Sequence, residues 1–153
     1  MFSIPPVQIL VRFRICILFK MSVKTLINYC SSLPEAKEDY PFGPDVQVFK
    51  IKDKLFAILT KRQGIHRINL KCHPEEALIL REIFEDVVPG YHMNKMHWNT
   101  VLLNNSIPDE EIRRMIDRSY CLVVKKLKKK IREVLEIKHG HKKVFNSISS
   151  PWV

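Results

Sequence analysis

No C-x-x-C pair and no close Cys/His quartet occurs in this chain, although cysteines stand at 16, 30, 72 and 121. Adjacent Cys72 and His73 do not make up for this, because neighbours in a strand point to opposite faces and rarely share a metal. Free thiols in a reducing cytoplasm are expected. Also missing are G-x-S-x-G, the P-loop and H-E-x-x-H, and with them the usual sequence grounds for an enzyme. His92 and His97 have no spacing to Cys72 or Asp45 that argues for acid–base work, so no catalytic residue, metal or cofactor is expected. The apolar stretch Val7–Phe19 is interrupted by Gln8, Arg12 and Arg14. It is too short and too charged to cross a bilayer. It also lacks the basic start and small-residue cleavage site of a signal peptide. No internal repeat is visible.

What is present is an ordinary globular composition, 46% hydrophobic and 27% charged. A length of 153 residues suits one domain whose core needs no staples. The net charge of +10 is unevenly placed. Residues 1–20 hold Arg12, Arg14 and Lys20 with no acid, and residues 125–143 hold nine cations against Glu133 and Glu136. Residues 21–124 have fourteen of each sign and sum to zero. The basic character belongs to the two ends, whereas a nucleic-acid-binding body usually carries its own basic footprint.

Met21 precedes Ser22, a good helix N-cap, and an apolar pattern at Val23, Leu26, Ile27 and Cys30. Met21 is therefore expected as the natural start, with 1–20 an extension outside the fold; an amphipathic arm at a membrane surface is the other reading. A first helix is expected over about 22–32, ending before Pro34. Strands follow at 46–51 and 54–60 around the Lys52-Asp53 turn, then at 65–71 after Lys61-Arg62-Gln63-Gly64. In the last of these Arg67, Asn69 and Lys71 share one face, and His66, Ile68 and Leu70 the other. Pro74 opens a second helix, about 74–84, with Glu75 and Glu76 in its first turn. Beyond Pro89-Gly90, residues 91–95 and 98–103 read as a second hairpin. Ser106-Ile107-Pro108-Asp109 has capping-box spacing and opens a long helix. Its stripe runs from Ile112 through Tyr120, Leu127 and Ile131 to Leu135. Thirty helical residues would span roughly 45 Å, against a body roughly 30 Å wide. The helix is expected to project or fray beyond Leu127, with a disordered tail from His139. The expected layout is α+β, in the order α-β-β-β-α-β-β-α, with antiparallel hairpins and a long basic C-terminal helix. The domain occupies 21–130, and 131–153 are helix end and tail.

Five segments in order carry a family resemblance: EDYPFGPD (38–45), VFKIKDKLFAIL (48–59), RINLKCHPEEA (67–77), PGYHMNKMHWNTV (89–101) and DRSYCLVVKKL (117–127). Together they resemble the MmcQ/YjbR family of small bacterial proteins, over about 21–130. The resemblance implies a compact double-wing α+β domain, similar also to frataxin-like proteins, and a DNA-binding label that rests on likeness of fold. A frataxin-like iron role needs a carboxylate-rich surface, and the first helix, SVKTLINYCSSL, has no acid.

Several groups of residues are candidates for binding, each with a plainer alternative. In the stretch 89–101, Lys95 could meet a phosphate, Asn94 or Asn99 a base edge, and His97 or Trp98 could stack. Alternatively Tyr91 and Trp98 fill core and the asparagines bond backbone at a turn. Lys61, Arg62, Arg67, Asn69 and Lys71 form a strip that either tracks a nucleic-acid backbone or is a solvated sheet face. The acidic loop Glu38, Asp39, Tyr40 and Asp45 reads as a rigid turn packed by Tyr40 and Phe42. The run Lys125, Lys126, Lys128, Lys129 and Lys130 would bind a polyanion with steep salt dependence or serve as a solvated helix end. Leu127 and Ile131 add a possible partner or membrane surface. The expected function is DNA binding of low sequence specificity by a cytoplasmic monomer or weak dimer. The alternative is a protein-interaction or regulatory module that never touches nucleic acid.

Overall fold

The computed structural model describes residues 20–145. The expectations for residues 1–19 and 146–153 lie outside the described residues. Helix α1 (Val23–Ser32) opens where Ser22 Oγ accepts the Thr25 amide at 3.1 Å, which satisfies one of the free amides of a helix start. It stops at Leu33, held extended ahead of Pro34, as the steric rule for a residue before proline requires. Leu26 and Cys30 form its buried face.

Among the described residues six strands, β1 (Lys37–Asp39), β2 (Val46–Ile51), β3 (Lys54–Arg62), β4 (Ile65–Lys71), β5 (Val87–Pro89) and β6 (Trp98–Leu102), form one antiparallel sheet in the order β1-β2-β3-β4-β6-β5. β2 (Val46–Ile51) and β3 (Lys54–Arg62) are joined by Lys52-Asp53, whose φ values of 46° and 65° are the left-handed pair a two-residue hairpin needs. β4 (Ile65–Lys71) follows through Gln63-Gly64, again with both φ positive. β1 (Lys37–Asp39) falls where only a loop was expected, and it pairs Asp39 with Val48 across β2. Nearby Tyr40 and Phe42 are exposed at 46% and 65%, so they do not pack the turn they were expected to pack.

The second hairpin also differs from expectation. Its strands are β5 (Val87–Pro89) and β6 (Trp98–Leu102), with Pro89 opposite Asn99. Residues 91–95 are not a strand. Once Pro89 has ended β5, the chain closes through Gly90 N–H to the Trp98 carbonyl at 2.9 Å and then turns from Asn94 to His97.

Helix α2 (Pro74–Ile83) starts on proline as expected. Helix α3 (Asp109–Lys125) has no side-chain cap, because its N-cap position falls on Pro108; Ser106, the expected cap, lies outside the helix and bonds Asp86. The expected long helix is broken. α3 ends at Lys125, Leu127 is buried, and the chain resumes as α4 (Lys129–His139) and α5 (His141–Val144). A projecting helix would leave its apolar stripe in water. Folding back at Lys126–Lys128 and again at Gly140, where φ is +84°, puts Leu127, Leu135, Val144 and Phe145 into the main core.

The core lies in two unequal parts. The large one packs α1–α5 on one face of the sheet, around Phe49, Phe56, Ile68, Val101, Ile116 and Tyr120. A small one on the opposite face holds Val48, Ile58 and Trp98, with Val46, Leu55 and Met93 packed on it. The register slips between Phe49 and Lys50. This bulge explains why consecutive Phe56 and Ala57 both belong to the large core while Leu55 and Ile58 on either side belong to the small one.

Candidate functional site

The sheet face that carries no helix among the described residues presents four of the polar candidates, Arg62, Arg67, Asn69 and Lys71. Cross-strand pairing sets Val48, Ile58, Asn69 and Thr100 in one row, and Thr60, Arg67 and Leu102 in the next. Lys71 lies opposite Trp98 at the end of the sheet. Arg67, Asn69 and Lys71 thus share a face, as their alternation predicts. Arg62 joins them. Lys61 pairs with His66 and alternates with Arg62, so it points to the other side of the sheet and leaves the strip.

Two of these cations sit on rings from the 91–98 segment. Arg62 Cζ is 4.6 Å from the Tyr91 ring centre, and Lys71 Nζ is 5.3 Å from that of Trp98. Each is close enough for a cation–π attraction. The rings themselves divide between the two readings given above. Trp98 is 8% exposed and fills the small core with Val48 and Ile58, whereas Tyr91 is 48% exposed.

Asparagines divide in the same way. Asn69 is buried, and its Oδ1 accepts the Thr100 hydroxyl at 2.6 Å. Asn99 is buried as well. Its Oδ1 accepts from Arg81 Nε at 2.7 Å, and its amide donates to the Ala77 carbonyl at 3.4 Å. Asn99 therefore ties α2 to β6 and is not presented to a base edge. Asn94 is exposed, and its Oδ1 caps the Met96 amide at 2.9 Å. Lys95 and His97 are exposed beside it.

The segment that carries them is held from below. Arg81 also donates to the carbonyls of Lys95 and, at 3.3 Å, Trp98. The Cys72 amide donates to the His97 carbonyl at 2.9 Å. Gly90 lies so close that a Cβ there would stand 2.8 Å from Trp98 Cβ and 2.9 Å from its carbonyl oxygen. Beneath Arg81, buried Glu76 pairs with Arg118 and with Arg114 at 3.8 Å, which locks α2 to α3. Sequence reasoning missed Arg81, Gly90 and the Glu76–Arg118 pair as supports. The one available signal was Glu76 in a helix first turn, and that signal suggests solvent exposure.

Electrostatics single out Lys71. Its pKa is lowered, first by burial and then by the positive charges of Lys126 and Lys54. Lys125, Lys126, Lys128, Lys129 and Lys130 are all exposed around the α3–α4 junction, and Lys129 makes a loose pair with Glu133 at 3.8 Å. The cavity lined by Leu70, Cys72, Glu76, Asn99 and Arg118 holds about 10 Å³, room for about one water. Among the described residues no group of three His, Cys, Asp or Glu could hold a metal ion. Cys30, Cys72 and Cys121 are buried, and no disulfide joins them among the described residues. No described helix is long and apolar enough to cross a membrane.

Comparison with known proteins agrees over the same span. A family described as YjbR matches residues 31–122. The Escherichia coli O157:H7 protein YbdF, described as uncharacterized, is 40% identical over 98 residues, covering 64% of this chain and 80% of its own length. The E. coli K12 protein YjbR, also described as uncharacterized, is 35% identical over 115 residues, covering 75% and 98%. A crystal structure of a Deinococcus radiodurans protein with a DUF419 domain is similar with a TM-score of 0.71 and 35% identity, over 76% of this chain and 88% of that one. A Pseudomonas syringae protein gives 0.60 and 34%, over 67% and 98%. With the motif segments, the sheet and these relatives in agreement, the chain belongs to the YjbR family.

Proposed function

We propose that this protein binds nucleic acid with low sequence specificity through the helix-free face of its sheet and the basic α3–α4 junction. One observation carries the proposal. Arg62, Arg67 and Lys71 line one face, and two of them are already seated on the rings of Tyr91 and Trp98. Cations beside aromatic rings suit a phosphate backbone and its bases without reading a sequence. The low specificity follows from Asn69 and Asn99, whose oxygens are engaged inside the fold; of the three candidate asparagines, Asn94 alone stays at the surface to meet a base. This role goes with a cytoplasmic monomer.

The test is fluorescence anisotropy with single-stranded and duplex oligonucleotides at two salt concentrations. Affinity should fall steeply with salt, and Arg67→Ala and Lys95→Ala should each reduce the logarithmic slope by roughly 0.7 to 0.9, one phosphate contact. Lys129→Gln with Lys130→Gln should weaken all sequences alike. Absence of affinity at low salt for either oligonucleotide would overturn the proposal. A protein-interaction module would then lead, for which α2 offers an outward apolar face: Leu78, Ile79 and Ile83 are 59%, 45% and 63% exposed.

A further inference from the structure

Two helices turn aliphatic residues outward at helical spacing, and the charges beside those residues are opposite in sign. On α2 the exposed positions are Glu75, Leu78, Ile79, Glu82 and Ile83. They follow the i, i+3, i+4, i+7, i+8 spacing of a stripe that a helix usually buries. The one cation of α2, Arg81, is engaged by Asn99. On α4, Lys130, Val134 and Ile137 form a second exposed stripe, with Val134 and Ile137 at 59% and 85%. The carboxylate beside it, Glu133, is held by Lys129. Among the described residues no ion pair takes up Glu75, Glu82 or Lys130.

One chain does not bring these faces together. Helix α2 packs on β5, the outermost strand at one border of the sheet. Helix α4 is tied through Lys138 to Glu35, just ahead of β1 at the other border. Two copies can. Setting α2 against α2 would oppose glutamate to glutamate, and α4 against α4 lysine to lysine, each at a like-charge cost. Setting α2 against α4 covers both aliphatic rows and places Lys130 among Glu75 and Glu82.

We propose that α2 of one copy docks on α4 of a second copy, a head-to-tail contact of this chain with itself. Ten residues of helix against eleven make a small interface, below about 1,200 Å². The contact is therefore weak and forms at high local concentration. Because its two surfaces differ, each pair keeps one free α2 and one free α4, and growth continues until a ring closes. The inference does not rest on nucleic-acid binding. It does bear on it, since Lys130 belongs also to the basic junction and the monomer alone offers that junction whole.

The test is sedimentation velocity of the full-length chain from micromolar to millimolar concentration. The average mass should rise with concentration. Leu78→Asn and Ile137→Asn should each weaken association about tenfold, the effect of losing one apolar anchor. Mixed, the two variants should form a one-to-one complex that grows no further, since the first keeps an intact α4 and the second an intact α2. Glu82→Lys and Lys130→Glu should each weaken association too, and both together in one chain should restore it. Thermal unfolding at micromolar concentration separates a lost contact from a lost fold. Where an asparagine variant melts early, the charge reversals on exposed residues decide. Constant monomer mass up to millimolar concentration overturns the proposal and leaves the α2 face to a partner of another sequence. Association that ignores all the substitutions overturns it as well. So does loss in the α2 variants alone or the α4 variants alone, which marks a like-with-like contact. No nucleic acid enters the experiment, so its failure leaves the function proposed above standing.

Discussion

Arg81 on helix α2 donates its Nε hydrogen to Asn99 Oδ1 on strand β6 at 2.7 Å, and the same guanidinium reaches the carbonyls of Lys95 and Trp98. One side chain thus fixes both the base of the 91–97 loop and the strand that follows it. Arg81→Leu leaves the buried Asn99 oxygen without its donor. A destabilisation of about 2–3 kcal/mol is expected in urea unfolding, from the unsatisfied buried group. Amide exchange should speed up at Lys95–Trp98 more than in β3. Equal exchange throughout would show that the loop is held by something else.

Gly90 is required by proximity. An alanine there would place its Cβ inside contact distance of Trp98 Cβ and the Trp98 carbonyl. Neither of those atoms can swing away, so Gly90→Ala should cost about 1–3 kcal/mol by overpacking. A lowered Tm with a shifted Trp98 emission is the expected readout. An unchanged Tm would mean that the β5–β6 connection is looser than its geometry.

Glu35 gives a pH signature. Hydrogen bonds from Lys52 and Lys138 draw its carboxyl from the ordinary 4.5 down to about 2, and Lys138 brings in α4 at 3.1 Å. A carboxyl with a depressed folded pKa contributes stability that is complete above its unfolded value and is lost as pH falls through the folded one. The contribution of Glu35 should therefore fade between about pH 4.5 and 2. Comparing urea midpoints of the wild type and Glu35→Gln across that window checks this. The gap between them should be widest at the upper end and close toward the lower. A constant gap would rule the clamp out.

Leu135 tests whether the C-terminal helices are part of the body. It is 1% exposed in the main core, so Leu135→Ala should cost about 2–5 kcal/mol. Ile137, on the outer side of α4 and 85% exposed, is the control, and Ile137→Ala should be near neutral. Parity between the two in thermal unfolding would return α4 to the status of a tail.

Local chemistry makes much of the sheet legible in the sequence. Alternation in β4 assigned Arg67, Asn69 and Lys71 to one face, and Lys52-Asp53 marked a two-residue turn. Ser22 and Pro34 bounded α1. Other features depended on distant partners. The apolar stripe of the last helix continues unbroken across Lys126–Lys128 at helical period, so nothing local announces that the chain folds back there. β1 is three charged residues whose strand character comes entirely from β2. Asn99 resembles a surface amide until Arg81, eighteen positions earlier, is seen to claim it. The candidate site was half legible for that reason. Its cations were visible in the sequence, whereas the groups that seat them or take candidates out of use were not.

The outer strands of the sheet are its shortest, Lys37–Asp39 on one side and Val87–Pro89 on the other. A run of three charges and a proline are both poor templates for a further strand, since one repels an incoming apolar segment and the other offers no amide hydrogen. Growth of the sheet into a strand-swapped dimer or a fibril is therefore blocked at both borders. Whatever engages this protein has to meet it across a surface, and concentrated samples should remain free of cross-β polymer.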